Sequence, residues 1–148
     1  MKVSEIMTSD LQVVSPQQPI QEAARLMLQA DAGVVPVQDG DQLIGIVTDR
    51  DIAVRAVAEG RGPDTPVSEV MSGKPLFCFE DQNIDDVAIL MSDAQVRRFP
   101  VVSREGQKLV GIVSIGDLTK MDDEGQAAEV ALSGVSEPGG EHNQSQEA

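Results

Sequence analysis

The amino-acid sequence is an internal duplication, and this feature constrains the fold more than any other. At an offset of 64 residues, the pattern of residues 3–37 recurs in residues 67–101. Beyond the two Pro-Val pairs the offset becomes 66, so the second half has gained two residues in one loop. A half of about 60 residues leaves an apolar sheet face or helix stripe that its partner can cover. We therefore expect two similar halves that pack together as one unit.

The first half alternates between strand-like and helical patterns. A strand is predicted near Gln12–Ser15, followed by a helix over Pro19–Ala30, where apolar residues recur at helical spacing. Two β-branched runs, Val34–Val37 and Leu43–Thr48, flank an Asp-Gly turn typical of a hairpin. The second run is continuously apolar and is predicted to be buried on both faces. A further helix is predicted from Asp49 to about Glu59.

The second half repeats this order and thereby sets the fold class. Its predicted elements are a strand over Leu76–Phe79, a helix over Gln82–Ala94, strands over Phe99–Val102 and Lys108–Ser114, and a short helix from Ile115 to about Met121. The fold class is α+β, with two β-α-β-β-α repeats that we expect to pack sheet to sheet with pseudo-two-fold symmetry. The predicted boundaries are 1–60 for the first repeat, 61–66 for a linker, 67–121 for the second repeat and 122–148 for a tail.

Charge and composition argue against several classes of partner. The formal net charge is −14, and residues 121–148 hold seven acidic residues with neither Lys nor Arg. Residues 1–120 carry 18 acidic and 11 basic residues, so no basic excess is available for nucleic acid. The polar, acidic tail is expected to be largely disordered. No apolar run or signal pattern points to a membrane, and we expect a cytoplasmic protein.

The sequence offers little for catalysis. Cys78 is the only cysteine, and the only histidine, His142, lies near the C-terminus. A zinc site built on cysteine and catalysis that depends on histidine are therefore not expected, and no phosphate-binding loop or nucleophile elbow is present. We predict no catalytic residues, no metal ligands and no catalytic cofactor.

One motif, Gly-apolar-apolar-Thr/Ser-x-x-Asp, occurs twice, at residues 45–51 and 111–117. Each copy ends a predicted strand and opens a helix. A hydroxyl beside free helix N–H groups suits a phosphate, and an aspartate one turn further suits the two hydroxyls of a ribose. The alternative is a capping box, in which hydroxyl and carboxylate satisfy only the backbone of their own helix. The recurrence at equivalent corners, with Asp in both copies, favours a nucleotide site.

The duplication and its motifs make residues 1–120 resemble a tandem pair of CBS (cystathionine β-synthase) domains, a Bateman module. The resemblance is carried by the V-S-E-I-M opening, the A-G-V-V-P-V and V-R-R-F-P-V strands and the two motifs. It implies a stand-alone regulatory module that binds AMP, ADP or ATP, or else NADH or S-adenosylmethionine, in two clefts between the repeats. It also implies a homodimer, and a ligand-biased conformation would act on a partner protein.

The same resemblance assigns roles to individual residues. Thr48 and Ser114 would contact phosphate, and Asp51 and Asp117 would contact ribose. The candidates for an apolar slot around the base, which are also expected as ordinary core, are Val14, Ser15, Val35, Cys78, Phe79 and Phe99. The candidates for neutralising phosphate, with surface ion pairs as the alternative, are Arg50, Arg55, Arg97 and Arg98. Arg97 and Arg98 have uncharged counterparts in the first half, so the two sites are predicted to be unequal.

Two rival functions belong to other classes. In the first, the chain is a ligand-free dimeric scaffold whose motifs only cap helices. In the second, it is an enzyme, although the body of the chain has no histidine, no nucleophile elbow, no phosphate-binding loop and no cluster of zinc ligands. Thermal stabilisation by a nucleotide distinguishes the sensor from the scaffold, and turnover of the bound nucleotide would indicate the enzyme.

Overall fold

The computed structural model describes residues 1–121, without the side chains of Lys120 and Met121. The predicted tail, residues 122–148, lies outside these described residues. The chain divides into a first unit, residues 12–75, and a second unit that joins residues 1–11 to the chain from residue 76 onward. This division does not follow the predicted repeat boundaries, because the opening residues of each repeat belong to the unit of the other repeat.

The first unit contains one hairpin and two helical segments. They are α1 (Ile20–Ala30), β1 (Val34–Asp39), β2 (Gln42–Thr48) and α2 (Asp49–Asp51), which continues as a π-helix over Ile52–Val57. The strands are antiparallel, with Val34 opposite Thr48. The strand predicted near Gln12–Ser15 is wrong in extent: only Val14 pairs, in a single bridge to Val37. Pro16 follows closely and has no N–H with which to extend the pairing.

The second unit contains a three-stranded sheet. Its elements are β3 (Cys78–Phe79), α3 (Ile84–Ala94), β4 (Arg98–Val102), β5 (Leu109–Ser114) and α4 (Ile115–Met121). The order is β3-β4-β5, with β3 parallel and β5 antiparallel to β4. The register pairs Gln38 with Leu43 in the first unit and Val102 with Leu109 in the second. The two residues gained by the second half therefore lie in the β4–β5 loop.

A buried aliphatic core supports each unit. In the first unit it includes Val14, Ile20, Ala23, Met27, Val35, Val37, Val47, Ala56, Val67 and Val70. In the second it includes Val3, Ile6, Cys78, Ile84, Val87, Ala88, Met91, Val96, Phe99, Val101, Val113, Ile115 and Leu118. The prediction that β2 is buried on both faces is wrong, because Val47 is buried whereas Ile44 and Ile46 are only half-buried. An antiparallel hairpin turns only one face to the core.

Two opening segments, residues 3–8 and residues 67–72, pair with the second strand of a hairpin. The first opening segment lies in the second unit, and the second opening segment lies in the first unit. Each segment begins with a turn of 3-10 helix and ends in a reciprocal pair of backbone hydrogen bonds. The bonds are Thr8 N to Ile112 O (2.8 Å), Ile112 N to Thr8 O (3.0 Å), Ser72 N to Ile46 O (2.8 Å) and Ile46 N to Ser72 O (3.1 Å).

The glycine that opens each motif makes this pairing possible. A Cβ on Gly45 would lie 2.5 Å from the carbonyl oxygen of Ser72, far inside van der Waals contact. A Cβ on Gly111 would lie 2.6 Å from Sδ of Met7 and 3.0 Å from the carbonyl oxygen of Thr8. The motif glycines are thus explained by packing, because only glycine allows so close an approach of two backbones.

Both long helices end at a residue in the left-handed region that is not glycine. Asp31 follows α1 with φ of 51°, and Gln95 follows α3 with φ of 57°. The left-handed conformation costs an L-residue about 1 kcal/mol or more, whereas glycine adopts it freely. The carboxylate of Asp31 also lies at the negative end of the helix dipole.

We expect Asp31→Gly to raise the free energy of unfolding by about 1 kcal/mol, since it removes both the backbone strain and the unfavourable charge. Urea unfolding followed by far-UV circular dichroism measures the change. Asp31→Ala is the matched control, because it removes the charge but keeps the backbone strain. Its free energy of unfolding should rise less than that of Asp31→Gly. A glycine variant no more stable than the alanine variant would contradict the role given to the backbone angle.

Candidate functional site

The first motif forms a capping box at the corner between β2 and α2. The backbone N–H of Thr48 donates to Oδ2 of Asp51 at 2.9 Å, and the N–H of Asp51 donates to Oγ1 of Thr48 at 3.0 Å. Both residues are half-buried. The spacing of three residues produces this geometry, because it brings the two side chains across one helical turn.

The second motif has the same geometry between β5 and α4. The N–H of Ser114 donates to Oδ2 of Asp117 at 2.8 Å, and the N–H of Asp117 donates to Oγ of Ser114 at 3.2 Å. These two residues are also half-buried. The structure therefore brings the predicted motif residues together in two equivalent pairs.

The capping bonds leave part of each motif available to a ligand. A hydroxyl that accepts one hydrogen bond keeps its own proton to donate, and a carboxylate has a second oxygen. Among the described residues, Oδ1 of Asp117 and the hydroxyl proton of Ser114 contact no hydrogen-bond partner. The hydroxyl proton of Thr48 is similarly unused within that part of the chain. Capping therefore does not use every atom that these side chains offer for hydrogen bonding.

The candidate base-slot residues divide into two groups along the strands. Val35 and Phe99 are buried, and each follows the residue that lies opposite a motif hydroxyl. Cys78 pairs with Val101 and Phe79 with Val102, at the other end of β4 from Ser114. Along β4, Val102 beside Phe79 and Arg98 opposite Ser114 are four positions apart, or roughly 13 Å. The second unit thus places Phe99 beside its motif but holds Phe79 away from it.

The first unit shows the same division. Val14 is buried and bridges to Val37, three positions along β1 from the residue opposite Thr48. Ser15 is half-buried and donates its backbone N–H to Oε1 of Gln18 at 2.8 Å. Val35 alone of the three candidates lies at the level of the first motif. Val14 and Val35 also belong to the buried core, as the sequence allowed.

Phe79 is covered by an arginine that the sequence did not single out. The guanidinium carbon of Arg104 lies 3.9 Å from the centre of the Phe79 ring, and the ring of Phe77 packs edge-on at 5.5 Å. Two hydrogen bonds of 2.8 and 3.2 Å join Arg104 to Asp81. Arg104 thereby holds the pKa of the Asp81 carboxyl below its ordinary value. One face of the Phe79 ring is therefore already stacked.

Arg104 lies in the longer β4–β5 loop, and the two-residue gain was the only signal for it in the sequence. The loop borders an open cavity of about 740 Å³ in the second unit. Its lining carries charges of both signs, from Lys2, Glu80, Asp81, Arg104, Glu105 and Lys108. The cavity lining includes neither Ser114 nor Asp117 and is therefore distinct from the motif.

Two candidate arginines flank the second motif. Arg98 lies opposite Ser114 in the sheet, and the carbonyl of Arg97 accepts the N–H of Ile115 at 3.0 Å. Neither side chain has an ion pair or hydrogen bond with another described residue. In the first unit the same carbonyl position belongs to Gly33, which accepts the N–H of Asp49. The charge difference between the two halves is therefore located beside the motifs.

The other two candidate arginines belong to the first motif and differ from each other. Arg50 is exposed, inside the capping box. Arg55 instead donates from Nη1 to the carbonyl oxygens of Val70 and Met71 at 3.4 and 3.3 Å. Its Nε lies 3.8 Å from Oδ1 of Asp51. Arg55 is therefore already engaged by the protein, whereas Arg50 faces solvent.

Other chemistry finds little support within residues 1–121. No group of three or more His, Cys, Asp or Glu side chains in that range is arranged to hold a metal ion. None of its helices combines the length and the apolar character needed to span a membrane. Cys78 is buried, and burial raises the pKa of its thiol from 9.0 to about 12. The thiol is therefore protonated and unreactive at neutral pH.

Comparison with known proteins identifies the family. The family model of the CBS domain matches residues 3–57 and 67–124. The chain belongs to the CBS domain family. The CBS domain-containing protein YhcV of Bacillus subtilis is 43% identical over 134 residues, which cover 90% of this chain and 94% of that protein. The predicted family and α+β class are confirmed.

Solved structures of CBS domain proteins share the fold and include complexes with adenosine compounds. The structure of CBSX2 in complex with AMP has a TM-score of 0.70 and 28% identity, covering 80% of this chain and 93% of that one. The CBS domain pair of MJ0100, in complex with 5-methylthioadenosine and S-adenosyl-L-methionine, has a TM-score of 0.69 and 29% identity. That match covers 81% of this chain and 94% of the other.

Proposed function

We propose that this CBS domain pair is a regulatory module that binds an adenine nucleotide at its two motifs. The observation that carries the proposal is the pair of capping boxes, each of which leaves a hydroxyl proton and a second carboxylate oxygen outside the capping bonds, although that oxygen of Asp51 lies 3.8 Å from Nε of Arg55. The hydroxyls of Thr48 and Ser114 would donate to phosphate. The carboxylates of Asp51 and Asp117 would accept from ribose hydroxyls. CBSX2 with AMP supports the ligand class.

The positions of the charged residues favour a phosphorylated ligand at the second motif. Arg97 and Arg98 flank Ser114 and have no other described partner, so both are available to a phosphate. AMP, ADP and ATP are accordingly the first candidates, with NADH and S-adenosylmethionine next. Val35 and Phe99 are the base-slot residues best supported by position. The roles of Val14, Ser15, Cys78 and Phe79 at the base remain predictions from the family resemblance.

The output of the module would be conformational rather than chemical. A ligand that binds one arrangement of the chain better than another shifts the population toward it, and the altered surface acts on a partner protein. We propose a cytoplasmic homodimer without a reaction of its own. Leu28 on α1 and Ile89 on α3 are 83% and 51% exposed, which is consistent with contacts between copies through helices.

A ligand-free scaffold is the second candidate, and one observation favours it. Each motif carboxylate and hydroxyl already has a backbone partner, so the motifs stabilise their helices without any ligand. The scaffold hypothesis predicts that nucleotides leave the stability of the chain unchanged.

Thermal unfolding with AMP, ADP, ATP, NADH and S-adenosylmethionine tests the proposal. A ligand at about 100 times its dissociation constant should add about 2.7 kcal/mol, or roughly ten degrees in Tm for a chain of this size. Asp51→Asn and Asp117→Asn should each reduce the shift, because asparagine can still accept the capping bond but offers no second carboxylate oxygen. Dye fluorescence or calorimetry follows unfolding, because the chain has no Trp or Tyr.

Asp86→Asn is the matched control. It makes the same change of charge in the first turn of α3, at an exposed position outside the motifs. It should keep the full nucleotide shift. A Tm that none of the five ligands moves would leave the scaffold as the function.

A further inference from the structure

Arg55 connects the first motif to a segment that the proposed function does not involve. Its Nε lies 3.8 Å from Oδ1 of Asp51, the carboxylate oxygen that the capping box leaves over. Its Nη1 donates to the carbonyl oxygens of Val70 and Met71 in the second opening segment. All four residues belong to the first unit. The guanidinium of Arg55 therefore contacts both Asp51, the residue proposed to bind ribose, and the segment that opens the second repeat.

The helix that carries Arg55 has unusual geometry at this point. It is π-helical over Ile52–Val57, directly after Asp51, and its N–H groups bond five residues back, as Ala58 does to Ala53 at 2.9 Å. π-helical turns are rare and are frequently found at functional sites. The wider turn changes the direction in which Arg55 leaves the helix relative to a regular α-helix.

The second opening segment is held from two sides. Ser72 exchanges two backbone hydrogen bonds with Ile46 of β2, two residues before Thr48. Arg55 holds the two preceding carbonyls, of Val70 and Met71. A change in the position of Arg55 would therefore affect the backbone position of Ser72 through the two residues that precede it.

We propose that Arg55 is a positioning residue that couples occupancy of the first motif to the second opening segment. The inference rests on the proposed function. A ribose that donates to Oδ1 of Asp51 displaces Arg55 from that oxygen. A phosphate at the Thr48 hydroxyl then attracts the guanidinium, because phosphate carries a negative charge and can accept two parallel bonds from it, whereas the carbonyls of Val70 and Met71 are neutral. Arg55 leaves Val70 and Met71, and the second opening segment loosens.

The coupling is confined to one of the two motifs. In the second repeat the residue equivalent to Arg55, at the offset of 66, is Met121, which has no charge. The position equivalent to Arg55 therefore offers no guanidinium to the equivalent carbonyls of the first opening segment, those of Ile6 and Met7. Ligand binding at the first motif alone would carry the signal to an opening segment.

Hydrogen exchange of the full chain by NMR tests the coupling, with AMP as the phosphorylated probe and adenosine as the uncharged one. AMP should speed exchange of the Ser72 and Ile46 amides about fivefold, the factor that corresponds to the loss of one hydrogen bond. Adenosine, the uncharged probe, should speed this exchange less. Arg55→Gln should speed the same amides by a similar factor without ligand, and AMP should add nothing further. Arg25→Gln, which removes an exposed arginine from α1, should behave like the natural chain.

The outcomes separate the coupling from the proposed function. If AMP raises Tm but leaves Ser72 exchange unchanged in the natural chain, the coupling is wrong and the proposed function stands. Equal exchange of the ligand-free natural and Arg55→Gln chains also overturns the coupling. If no nucleotide raises Tm, the proposed function fails and the coupling fails with it. If Arg55→Gln does not fold, Arg55→Lys replaces it, because lysine keeps the charge but lacks the two-pronged guanidinium. Exchange rates in Arg55→Lys equal to those of the natural chain would refute the coupling.

Discussion

Gly45→Ala is expected to lower the free energy of unfolding by about 2–4 kcal/mol. The added Cβ would lie 2.5 Å from the carbonyl oxygen of Ser72, and this oxygen belongs to backbone that cannot rotate away. Relief of the clash requires that the second opening segment move off β2, which breaks the two hydrogen bonds between Ser72 and Ile46. Overpacking and lost backbone bonds each cost about 1–3 kcal/mol, partly offset by the lower chain entropy of alanine.

Gly73→Ala is the matched control for this prediction. Gly73 lies one residue after Ser72, a Cβ added to it would meet no described atom within 4 Å, and its backbone is outside the left-handed region. Its effect should stay within about 0.5 kcal/mol. Gly111→Ala should be intermediate, since its closest contact is the flexible side chain of Met7. Urea unfolding by circular dichroism measures all three, and a harmless Gly45→Ala would contradict the close pairing of the opening segment.

Alkaline solution is expected to destabilise the fold through Cys78. Burial raises the pKa of this thiol from 9.0 to about 12 in the folded chain, whereas the unfolded chain releases the proton near pH 9. Between these values the unfolded state binds fewer protons than the folded state, so stability is complete below pH 9 and falls as pH rises toward 12. The loss is about 1.4 kcal/mol for each pH unit, or about 2.7 kcal/mol by about pH 11.

Cys78→Ala isolates the contribution of the thiol. The variant loses some packing at neutral pH, but its free energy of unfolding should fall less steeply above about pH 9, because the titrating group is gone. Urea unfolding at a series of values from about pH 8 to about pH 11 gives the two slopes. Parallel slopes for the two chains would show that Cys78 does not titrate differently in the folded and unfolded states.

Local features of the fold were predictable from the sequence. The helix predicted over Pro19–Ala30 occurs at Ile20–Ala30, and the one predicted over Gln82–Ala94 occurs at Ile84–Ala94. The spacing of Thr48 and Asp51 also predicted the capping box as one of two alternatives. These features depend on residues within one or two helical turns, where periodicity and side-chain reach decide the conformation.

Long-range features were not predictable in the same way. The duplication shows that residues 3–8 and 67–72 are equivalent, but it does not show which hairpin each one joins. The stacking of Arg104 on Phe79 depends on a loop that folds back across 25 residues of sequence, and no local pattern encodes it. The engagement of Arg55 by Val70 and Met71 is equally remote in sequence. Sequence spacing predicts these contacts only after the pairing of the strands is known.

The placement of the opening segments determines how the chain could be divided for engineering. A fragment cut at the sequence boundary, residues 1–60, would carry residues 3–8, which pair with Ile112 of the missing part, and would lack Ser72 as a partner for Ile46. Its β2 edge would be open to pairing with other molecules and thus prone to aggregation. A fragment of residues 12–75 would instead keep the pairing of Ser72 with Ile46, as a circularly shifted version of the repeat that the sequence displays.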